Sequence, residues 1–323
     1  MRLLLVVNVS ASAVTPRTRV VIAKALAADH KLEVVETDRR GHATHLAHEA
    51  ATEGWDAVVV LGGDGTVNEA ANGLVGTDTA LGVLPGGSTN VFARTIGAST
   101  DPIEATGQLL ASLAGGERRR IGMGRADERY FLFHLGVGFD AAVIDRVERR
   151  HILKRYAGHP LFVAAAVDTW VRHYDRSRPR FSVSVPGPDP AGEAADSLEG
   201  GYFAVFLNSD PYTFLGTRPL HLGPGTGPDD GLAVVAFRSL RLTDLLGTAA
   251  RALGSGRRVG RPHRIWALDH LEEAEVTGLS GPDGDPAGAA FPYQVDGDFL
   301  GLTSALRVSH HPAVIDVLYP PGS

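Results

Sequence analysis

The sequence has no cysteine among its 323 residues. Disulfide bonds and thiolate metal sites are therefore excluded, and the composition fits a reducing compartment. Long apolar runs are also missing, because no window approaches the roughly 20 residues that a membrane-spanning helix needs. We therefore expect a cytoplasmic protein.

An excess of positive charge is absent as well. The chain has 37 acidic and 31 basic residues and a formal net charge of −6, which argues against nucleic acid as a partner of the whole protein. The sequence contains no Gly-x-Ser-x-Gly elbow, no Gly-x-x-x-x-Gly-Lys loop and no His-x-x-x-His pair. These absences disfavour serine hydrolases, Walker-type nucleotide sites and histidine zinc sites.

The most informative stretch that is present runs from Asp56 to Thr66, DAVVVLGGDGT. Its apolar part, Ala57 to Leu61, predicts a buried parallel strand. The glycines that follow let backbone amides approach a ligand, and the helical pattern after Thr66 turns those amides toward an anion. Asp64 in such a turn suits a phosphate bound through Mg²⁺. The alternative is a tight turn whose glycines only relieve strain.

Strands and helices alternate through residue 115, which predicts a doubly wound α/β domain. The strands are expected at Leu3–Asn8, Leu32–Val35, Ala57–Leu61 and Ala80–Leu84, and the helices at Val20–Ala28, His42–Glu53, Val67 to about Gly73, Asn90–Ile96 and Asp101 to Gly115. A second glycine turn, Pro85 to Asn90, follows the fourth strand. Ser88 is the predicted N-cap of the next helix, with Gly97 as its stop. In such folds ligands bind beyond the carboxyl ends of the strands, where both glycine turns fall.

The rhythm changes after residue 118 and predicts a β-rich second domain with strand-on-strand packing. Strands are expected at Phe131–Leu135, Phe181–Val185, Tyr202–Leu207, Leu232–Phe237 and Thr303–Val308, and exposed loops at Pro186–Gly201 and Gly278–Ala290. Residues 1–118 would then form the nucleotide-binding α/β domain, with residues 310–323 packed back on it. Residues 119–309 would form the β-rich second domain, with a cleft between the two.

Six segments in a fixed order resemble one known family. They are the end of the first strand at Asn8, GGDGTVNE at Gly62–Glu69, PGGSTNVFAR at Pro85–Arg94, GVGFDA at Gly136–Ala141, GPDDGL at Gly227–Leu232 and QVDGDFLG at Gln294–Gly301. Together they resemble the diacylglycerol kinase catalytic-domain family, the bacterial soluble lipid kinases related to sphingosine kinases. The resemblance implies ATP and Mg²⁺ as cofactors. It also implies a nucleotide site of Asn8, Ser10, Thr37, Gly62, Gly63, Asp64, Gly65, Thr66, Asn68, Glu69, Gly87, Ser88 and Thr89.

The resemblance places the catalytic carboxylate in the triplet Asp296-Gly297-Asp298. The family has Glu where this chain has Asp298, so either Asp298 accepts the proton of the lipid hydroxyl or Asp296 does more of that work. From spacing alone the triplet predicts a turn between strands. Two further departures are Gly122, where family members often have Asp, and Val91, which follows Asn90 where the family has a second Asp.

The resemblance also implies a structural Mg²⁺ ligand at Asp230 with carbonyls of Gly227 and Leu232, and a headgroup contact at Lys154. The Asp230 segment could equally be a simple β-turn. The expected reaction is transfer of the γ-phosphate of ATP to a diacylglycerol-like lipid at the inner face of the membrane, with peripheral membrane contact through a cationic run that begins at Arg146. The alternatives are a sphingoid or other lipid kinase, an NAD kinase-like enzyme and a non-catalytic nucleotide-binding protein. A homodimer stays open.

Overall fold

The computed structural model describes residues 1–149, 164–187, 196–254, 264–280 and 289–322. The chain divides into two compact units. Unit 1 contains Met1–Met123 and Pro312–Ser323, and unit 2 contains Gly124–His311. Two long strands, Arg118–Ala126 and Ala305–Leu318, contribute residues to both units. Within the described residues, no helix is long and apolar enough to cross a membrane.

Unit 1 contains the predicted parallel sheet. Its strands are β1 (Arg2–Val7), β2 (Lys31–Glu36), β3 (Ala57–Gly62) and β4 (Ala80–Pro85), and its helices are α1 (Pro16–Asp29), α2 (His42–Thr52), α3 (Asp64–Leu74), α4 (Val91–Thr95) and α5 (Pro102–Gly115). The order is β2-β1-β3-β4 with every neighbouring pair parallel. The end of the strand Ala305–Leu318 adds a parallel neighbour to β4, where Val317 lies opposite Leu81. The doubly wound α/β class is confirmed.

The strands of unit 1 are apolar in sequence because both of their faces are covered. All six residues of β3 and of β4 are buried. One face of the sheet packs against Ile22 and Leu26 of α1 and against Leu109 and Leu113 of α5. The helix ends follow their capping residues: Asp101 accepts from two backbone N–H groups of α5, and Gly116 ends α5 in the left-handed conformation.

Unit 2 is built mainly from antiparallel strands. They are β5 (Arg118–Ala126), β6 (Arg129–Phe131), β7 (His134–Gly138), β8 (Phe181–Val185), β9 (Asp196–Gly201), β10 (Phe203–Leu207), β11 (Thr213–Leu215), β12 (Arg218–Leu220), β13 (Leu232–Phe237), β14 (Ile265–Leu271), β15 (Glu273–Gly278), β16 (Phe291–Val295), β17 (Asp298–Thr303) and β18 (Ala305–Leu318). The described helical segments are α6 (Phe139–Glu148), residues 164–173, in which Thr169–His173 form a π-helical turn, and α7 (Leu242–Ala252). One sheet has the order β14-β13-β10-β7-β16-β17. A second layer contains β9, β8, β15 and the start of β18.

The two layers of unit 2 share one apolar core. Leu135, Phe206 and Phe291 of the six-stranded sheet belong to the same buried cluster as Phe181 and Val276 of the other layer. The predicted strand-on-strand packing is therefore confirmed.

Three sequence-based boundaries in unit 2 were wrong. The strand expected at Thr303–Val308 spans the end of β17 and the start of β18, which are separated at Ser304. The strand expected at Phe131–Leu135 is divided into β6 and β7, because the backbone N–H groups of Leu132 and Phe133 donate to the Asp296 carboxylate instead of a strand partner. The loop expected at Pro186–Gly201 contains β9. That strand pairs with β8 and buries Leu198, although Gly and acidic residues dominate its sequence.

Candidate functional site

The first glycine turn of unit 1 lies where the buried strand β3 becomes helix α3. Gly63 is the extended N-cap residue of α3, and Asp64 is its first residue. A Cβ added at Gly62 would lie 3.0 Å from the Cβ of Thr66, so even a methyl group would be crowded at the strand end. Gly62, Gly63 and Gly65 thus add no side chains beside the N-terminus of α3, which favours an anion site there.

The second glycine turn lies directly against the first, backbone on backbone. The Gly86 N–H donates to the Gly62 carbonyl at 2.7 Å. A Cβ at Gly86 would lie 2.9 Å from the Gly62 Cα, and one at Gly87 would lie 2.8 Å from the Gly63 Cα. Real Cβ contacts are longer than this, so both turns need glycine to approach each other. The two motifs thus form one surface at the carboxyl edge of β3 and β4, as the sequence predicted.

The end of β1 belongs to the same edge. Asn8 Nδ2 donates to Thr66 Oγ1 at 2.9 Å, and the Ser10 N–H donates to Asn8 Oδ1 at 3.0 Å. The Thr37 N–H donates to the Val7 carbonyl at 2.9 Å, which places Thr37 just after β2 at the neighbouring strand end. Ser88 is exposed and Thr89 is half-buried on the second turn. The structure therefore gathers Asn8, Thr66 and both glycine turns at one place.

The Asp64 carboxylate has a local structural partner. Its Oδ1 accepts from the Phe92 N–H at 3.1 Å, at the start of α4. Burial raises the pKa of Asp64, although the backbone N–H groups of Val91 and Phe92 and the charge of Arg94 act in the opposite direction. A buried carboxylate whose charged form is disfavoured is the group that a nearby cation would stabilise.

The N-cap prediction for α4 was wrong. Helix α4 begins after Asn90, not at Ser88, and Asn90 is in the left-handed conformation with φ 49°. Its side chain pairs with Gly87 in both directions, since Oδ1 accepts from the Gly87 N–H at 2.8 Å and Nδ2 donates to the Gly87 carbonyl at 2.9 Å. Asn90 therefore fixes the shape of the second turn from inside. The asparagine was visible in the sequence, but its turn-holding role depends on a backbone angle that the sequence does not give.

Two residues predicted around Asp64 face the protein interior. Glu69 is 8% exposed, and its two carboxylate oxygens accept from the Gly41 and Ala43 N–H groups at 2.8 and 3.2 Å. It therefore neutralises the N-terminus of α2, whose own N-cap residue Gly41 has no side chain to do so. Asn68 is 1% exposed and accepts from Asn72 Nδ2 at its Oδ1. The structure assigns both side chains contacts that hold helices in place.

In unit 2 the Asp-Gly-Asp triplet forms a hairpin turn between β16 and β17. Asp296 and Gly297 both have positive φ, 47° and 82°, as in the turns that suit two-residue hairpins. The Asp296 side chain is 3% exposed and accepts from the backbone N–H groups of Leu132, Phe133 and His134 at 2.7, 3.1 and 2.9 Å. Three amides thus occupy this carboxylate, so Asp296 serves to anchor the turn.

Asp298 is differently placed. It is the first residue of β17, and its side chain keeps 17% exposure. Its Oδ2 lies 3.8 Å from Arg129 Nη2, a loose ion pair. Of the two carboxylates in the triplet, Asp298 is therefore the one with access to solvent.

A buried polar network sits behind this hairpin. Gln294 Nε2 donates to Asp140 Oδ2 at 2.7 Å, and the Gly297 N–H donates to Gln294 Oε1 at 2.8 Å. Tyr212 donates its hydroxyl proton to Asp140 Oδ1 at 2.6 Å. Burial raises the pKa of Asp140, and the hydrogen bonds from Tyr212 and Gln294 lower it. The motifs GVGFDA and QVDGDFLG, far apart in sequence, are joined here through Asp140 and Gln294.

The predicted magnesium ligand Asp230 lies on an exposed turn before β13. The Asp230 N–H donates to the Gly227 carbonyl at 3.1 Å, so the β-turn interpretation describes the backbone, and Leu232 is buried at the start of β13. Two histidines donate to carbonyls of this turn, His270 to Asp230 at 2.9 Å and His310 to Pro228 at 2.8 Å. Across the residues that the structure describes, no three His, Cys, Asp or Glu side chains are grouped to hold a metal ion. Lys154 lies outside the described residues.

Comparison with known proteins identifies the N-terminal part of the chain. Residues 2–126 match the family model of the diacylglycerol kinase catalytic domain. A diacylglycerol kinase of Bacillus subtilis is 40% identical over 100 residues, which is 30% of this chain and 32% of that protein. The chain thus aligns with only about a third to two fifths of the length of the curated relatives, 32% to 39% in the examples compared.

Solved structures show the fold of the rest. A diacylglycerol kinase from Bacillus anthracis superposes with a TM-score of 0.70 at 18% identity, covering 99% of this chain and 97% of that one. Yeast NADH kinase superposes with a TM-score of 0.52 at 10% identity, covering 100% and 84%. At these identities the likeness concerns architecture alone. The glycine turns, the family model and the curated relatives agree over the same segment, and residues 2–126 therefore resemble the diacylglycerol kinase catalytic-domain family.

Proposed function

We propose that the protein is an ATP-dependent lipid kinase, which transfers the γ-phosphate of ATP to a hydroxyl of a diacylglycerol-like lipid and yields phosphatidic acid or an analogue. The observation that carries the proposal is the contact between the two glycine turns, where Gly62 and Gly63 lie against Gly86 and Gly87. Such a surface suits a polyphosphate, because it offers amide donors without side chains in the way. The family match over residues 2–126 supports the same conclusion.

In this proposal the amides after Gly62 and Gly87 bind phosphate oxygens, and Asn8 holds the Thr66 hydroxyl beside them. Asp64 is the carboxylate that would lie next to Mg²⁺, and its burial makes it a group that gains from a cation. Magnesium commonly takes one or two protein carboxylates and completes its octahedron with phosphate oxygens and water, so this donor set fits. When bound, Mg²⁺ would neutralise the charge on the phosphates during transfer. Asp230 and its turn carbonyls would suit a second, structural Mg²⁺ of the same chemistry.

We assign the proton-accepting role to Asp298. As the bond between the lipid hydroxyl oxygen and the γ-phosphorus forms, the bond to the β-phosphate oxygen breaks and ADP leaves. The hydroxyl proton passes to the Asp298 carboxylate, directly or through one water. Asp296 supports this group by holding the hairpin through three backbone amides.

The experiment is incubation of the protein with γ-labelled ATP, Mg²⁺ and separate acceptors: diacylglycerol, monoacylglycerol, a sphingoid base, phosphatidylglycerol, NAD and fructose 6-phosphate. Label is expected in a lipid product, with diacylglycerol first. Label in NAD phosphate would instead identify an NAD kinase-like enzyme. Tight binding of Mg-ATP with no labelled product from any acceptor would identify a nucleotide-binding protein without turnover.

A variant pair separates the two carboxylates of the hairpin. Asp298→Asn is expected to lower kcat by about 10²–10⁴-fold with unchanged ATP affinity, since it removes a proton acceptor. Asp298→Glu keeps the carboxylate and should retain activity. Asp229→Asn is the matched control, because Asp229 is exposed and lies on the turn before β13. Full activity of Asp298→Asn would contradict the assigned role.

The remaining parts of the proposal concern partners. A lipid substrate lies in a membrane, so the enzyme needs peripheral contact with that surface, and we place this contact at the inner face. Nucleic acid is not proposed as a partner, in line with the net charge of −6. Density-gradient sedimentation of the protein with and without lipid vesicles measures the membrane contact directly.

A further inference from the structure

Helix α7 of unit 2 exposes leucine side chains while it buries polar ones. Two of its buried residues are polar, Asp244 at 8% exposure and Thr248 at 3%. Its exposed row contains Leu242 at 49% and Leu246 at 61%, and Leu253, just beyond the helix, is 37% exposed. A surface helix of a globular protein normally turns its apolar stripe toward the core. We call the row Leu242, Leu246 and Leu253 the leucine row. Such a row in water indicates a surface that an apolar partner covers.

A positively charged pocket of about 800 Å³ lies at the start of the same helix. Its charged lining residues are Arg176, Arg238, Arg241, Asp244 and Arg264, and its aromatic ones are Trp170 and Tyr202. Arg264 forms an ion pair with Asp244, and the Arg176 guanidinium lies 3.9 Å from the centroid of the Trp170 ring. Within the described part of the chain, no acidic side chain forms an ion pair with Arg238 or Arg241. The pocket therefore keeps an excess of positive charge next to the leucine row.

The segment around the π-helical turn extends the apolar surface. Trp170 Nε1 donates to the Leu240 carbonyl at 2.8 Å, which fixes this segment beside the start of α7. Ala165, Trp170 and Leu245 pack into one cluster with Leu240. Val167 and Val171 on the same segment are 58% and 54% exposed. Exposed apolar side chains thus occur on both neighbouring helical segments.

Five other arginines of unit 2 lie close to acidic side chains. Arg146 and Arg172 both pair with Asp168, and Arg149 pairs with Asp145. Arg178 and Arg180 both lie near Asp175. These five arginines therefore have acidic neighbours, whereas Arg176 lies over the Trp170 ring. Among the residues that the structure describes, Arg238 and Arg241 have no such acidic neighbour and remain available for an external anion.

Charge decides which apolar partner fits. In a symmetric dimer each surface meets its own copy, so Arg238 and Arg241 would approach identical charges across the two-fold axis. An anionic bilayer offers both complements at once, acyl chains for the leucine row and phosphate groups for the arginines. We propose that the leucine row and the pocket arginines Arg238 and Arg241 form the surface by which the protein docks on an anionic phospholipid bilayer.

This inference rests on the proposed lipid kinase function only in that such an enzyme needs access to a bilayer. The test omits ATP and measures sedimentation of the whole protein with vesicles of phosphatidylcholine containing 30% phosphatidylglycerol, and with pure phosphatidylcholine. The wild type is expected to bind the anionic vesicles and to release at high salt. Arg238→Gln/Arg241→Gln should weaken binding on the order of tenfold, and Leu242→Gln/Leu246→Gln by a similar factor at every salt concentration.

Two control variants change exposed residues that belong neither to the leucine row nor to the pocket. Val20→Gln lies on helix α1 at 53% exposure, and Arg218→Gln lies on the exposed strand β12; both should bind vesicles like the wild type. Unchanged thermal unfolding of all variants confirms that they fold. Wild-type vesicle binding by both double variants would overturn the proposal. A second result would also overturn it: the wild type sediments as a dimer and does not bind vesicles, and Leu242→Gln/Leu246→Gln dissociates that dimer. The leucine row would then contact a second copy of the chain. Failure of phosphate transfer with intact vesicle binding would reject the kinase and leave this surface in place.

Discussion

Asp64 combines two properties that rarely coexist without a function. Its residue keeps some exposure, yet its carboxylate is surrounded by protein, and burial raises its pKa. A carboxylate that favours the neutral form in the folded state destabilises that state wherever the unfolded chain would ionise it. Such a penalty persists at functional sites because the charge is needed for binding.

Asp64→Asn is therefore expected to stabilise the free protein at pH 7 by about 0.5–2 kcal/mol while abolishing phosphate transfer. The amide oxygen can still accept from the Phe92 N–H, so the start of α4 is preserved. Because the folded pKa lies above the unfolded one, the wild-type penalty is present at neutral pH and fades as the pH falls toward 3.8. Urea unfolding at pH 7 and pH 4 measures the difference, and a variant less stable than the wild type at pH 7 would contradict the assignment.

His134 is a second buried titratable residue, and its pKa is shifted in the opposite direction from that of Asp64. Burial lowers the pKa of His134 to about 3, and its Nδ1 is buried with no hydrogen-bond partner. Its ring lies among aromatic neighbours, with centroids 5.0 Å from Phe133 and 4.7 Å from Tyr212. The folded protein therefore keeps this histidine neutral where the unfolded chain protonates it.

The stability of the wild type should accordingly fall as the pH drops below 6.5, by up to about 1.4 kcal/mol per pH unit from this residue alone. His134→Gln removes the titration and should flatten that slope between pH 6.5 and pH 5. Urea midpoints across this range are the measurement, and His45→Gln, an exposed histidine on α2, is the control that should keep the wild-type slope. Identical slopes for His134→Gln and the wild type would show that another group governs the acid limb.

At the scale of elements, the site depends on how closely two turns approach. The β3–α3 and β4–α4 connections touch through Gly62, Gly63, Gly86 and Gly87. Their backbones cannot give way without shifting the ends of two central strands, which are buried on both faces. The glycines are therefore a packing requirement as well as a means of exposing amides.

Gly86→Ala is expected to destabilise the protein by about 1–3 kcal/mol and to weaken ATP binding, because its Cβ would lie 2.9 Å from the backbone of Gly62. Gly107→Ala is the matched control: Gly107 lies exposed within α5 with no atom within 4 Å of an added Cβ, and the change should stabilise by about 0.5–1 kcal/mol. Calorimetry and nucleotide titration of the two variants provide the comparison. Wild-type ATP affinity in Gly86→Ala would show that the turns tolerate separation.

Across the whole molecule, the chain returns to unit 1 at its end. Asp316 is 5% exposed and pairs with Arg118 and Arg120, and the Ser112 hydroxyl donates to the Tyr319 carbonyl at 2.5 Å. Ile315 and Val317 are fully buried. The end of the last strand thus lies beside β4 as its parallel neighbour.

A chain truncated so that it ends at His311 should therefore lose cooperative unfolding of unit 1. The truncation exposes the edge of β4 and removes the Asp316 carboxylate that pairs with Arg118 and Arg120. A chain ending at Pro320 keeps every contact named above and should unfold like the full protein. Hydrogen exchange of the β3 and β4 amides reads out unit 1 specifically. Full protection of these amides in the shorter chain would mean that the returning strand is dispensable.

The sequence alone determined the α/β class of unit 1, the positions of its strands and both glycine turns. These features depend on local composition. Continuous runs of Val, Leu and Ala indicate buried strands, and the glycines that follow them mark the strand ends. The Asp101 cap and the Gly97 and Gly116 stops were equally local. The leucines of α7 were visible too, but a leucine row is normally a core face, so its exposure could not be predicted.

Only the tertiary structure decided the roles of polar side chains. Whether a carboxylate binds a ligand or caps a helix depends on which amides approach it, and those come from distant segments: Gly41 and Ala43 for Glu69, Leu132 to His134 for Asp296. Arg238 and Arg241 stand out for the same reason, because only the folded surface shows that no acidic side chain among the described residues pairs with them. A sequence fixes which groups are charged, whereas folding decides which charges meet.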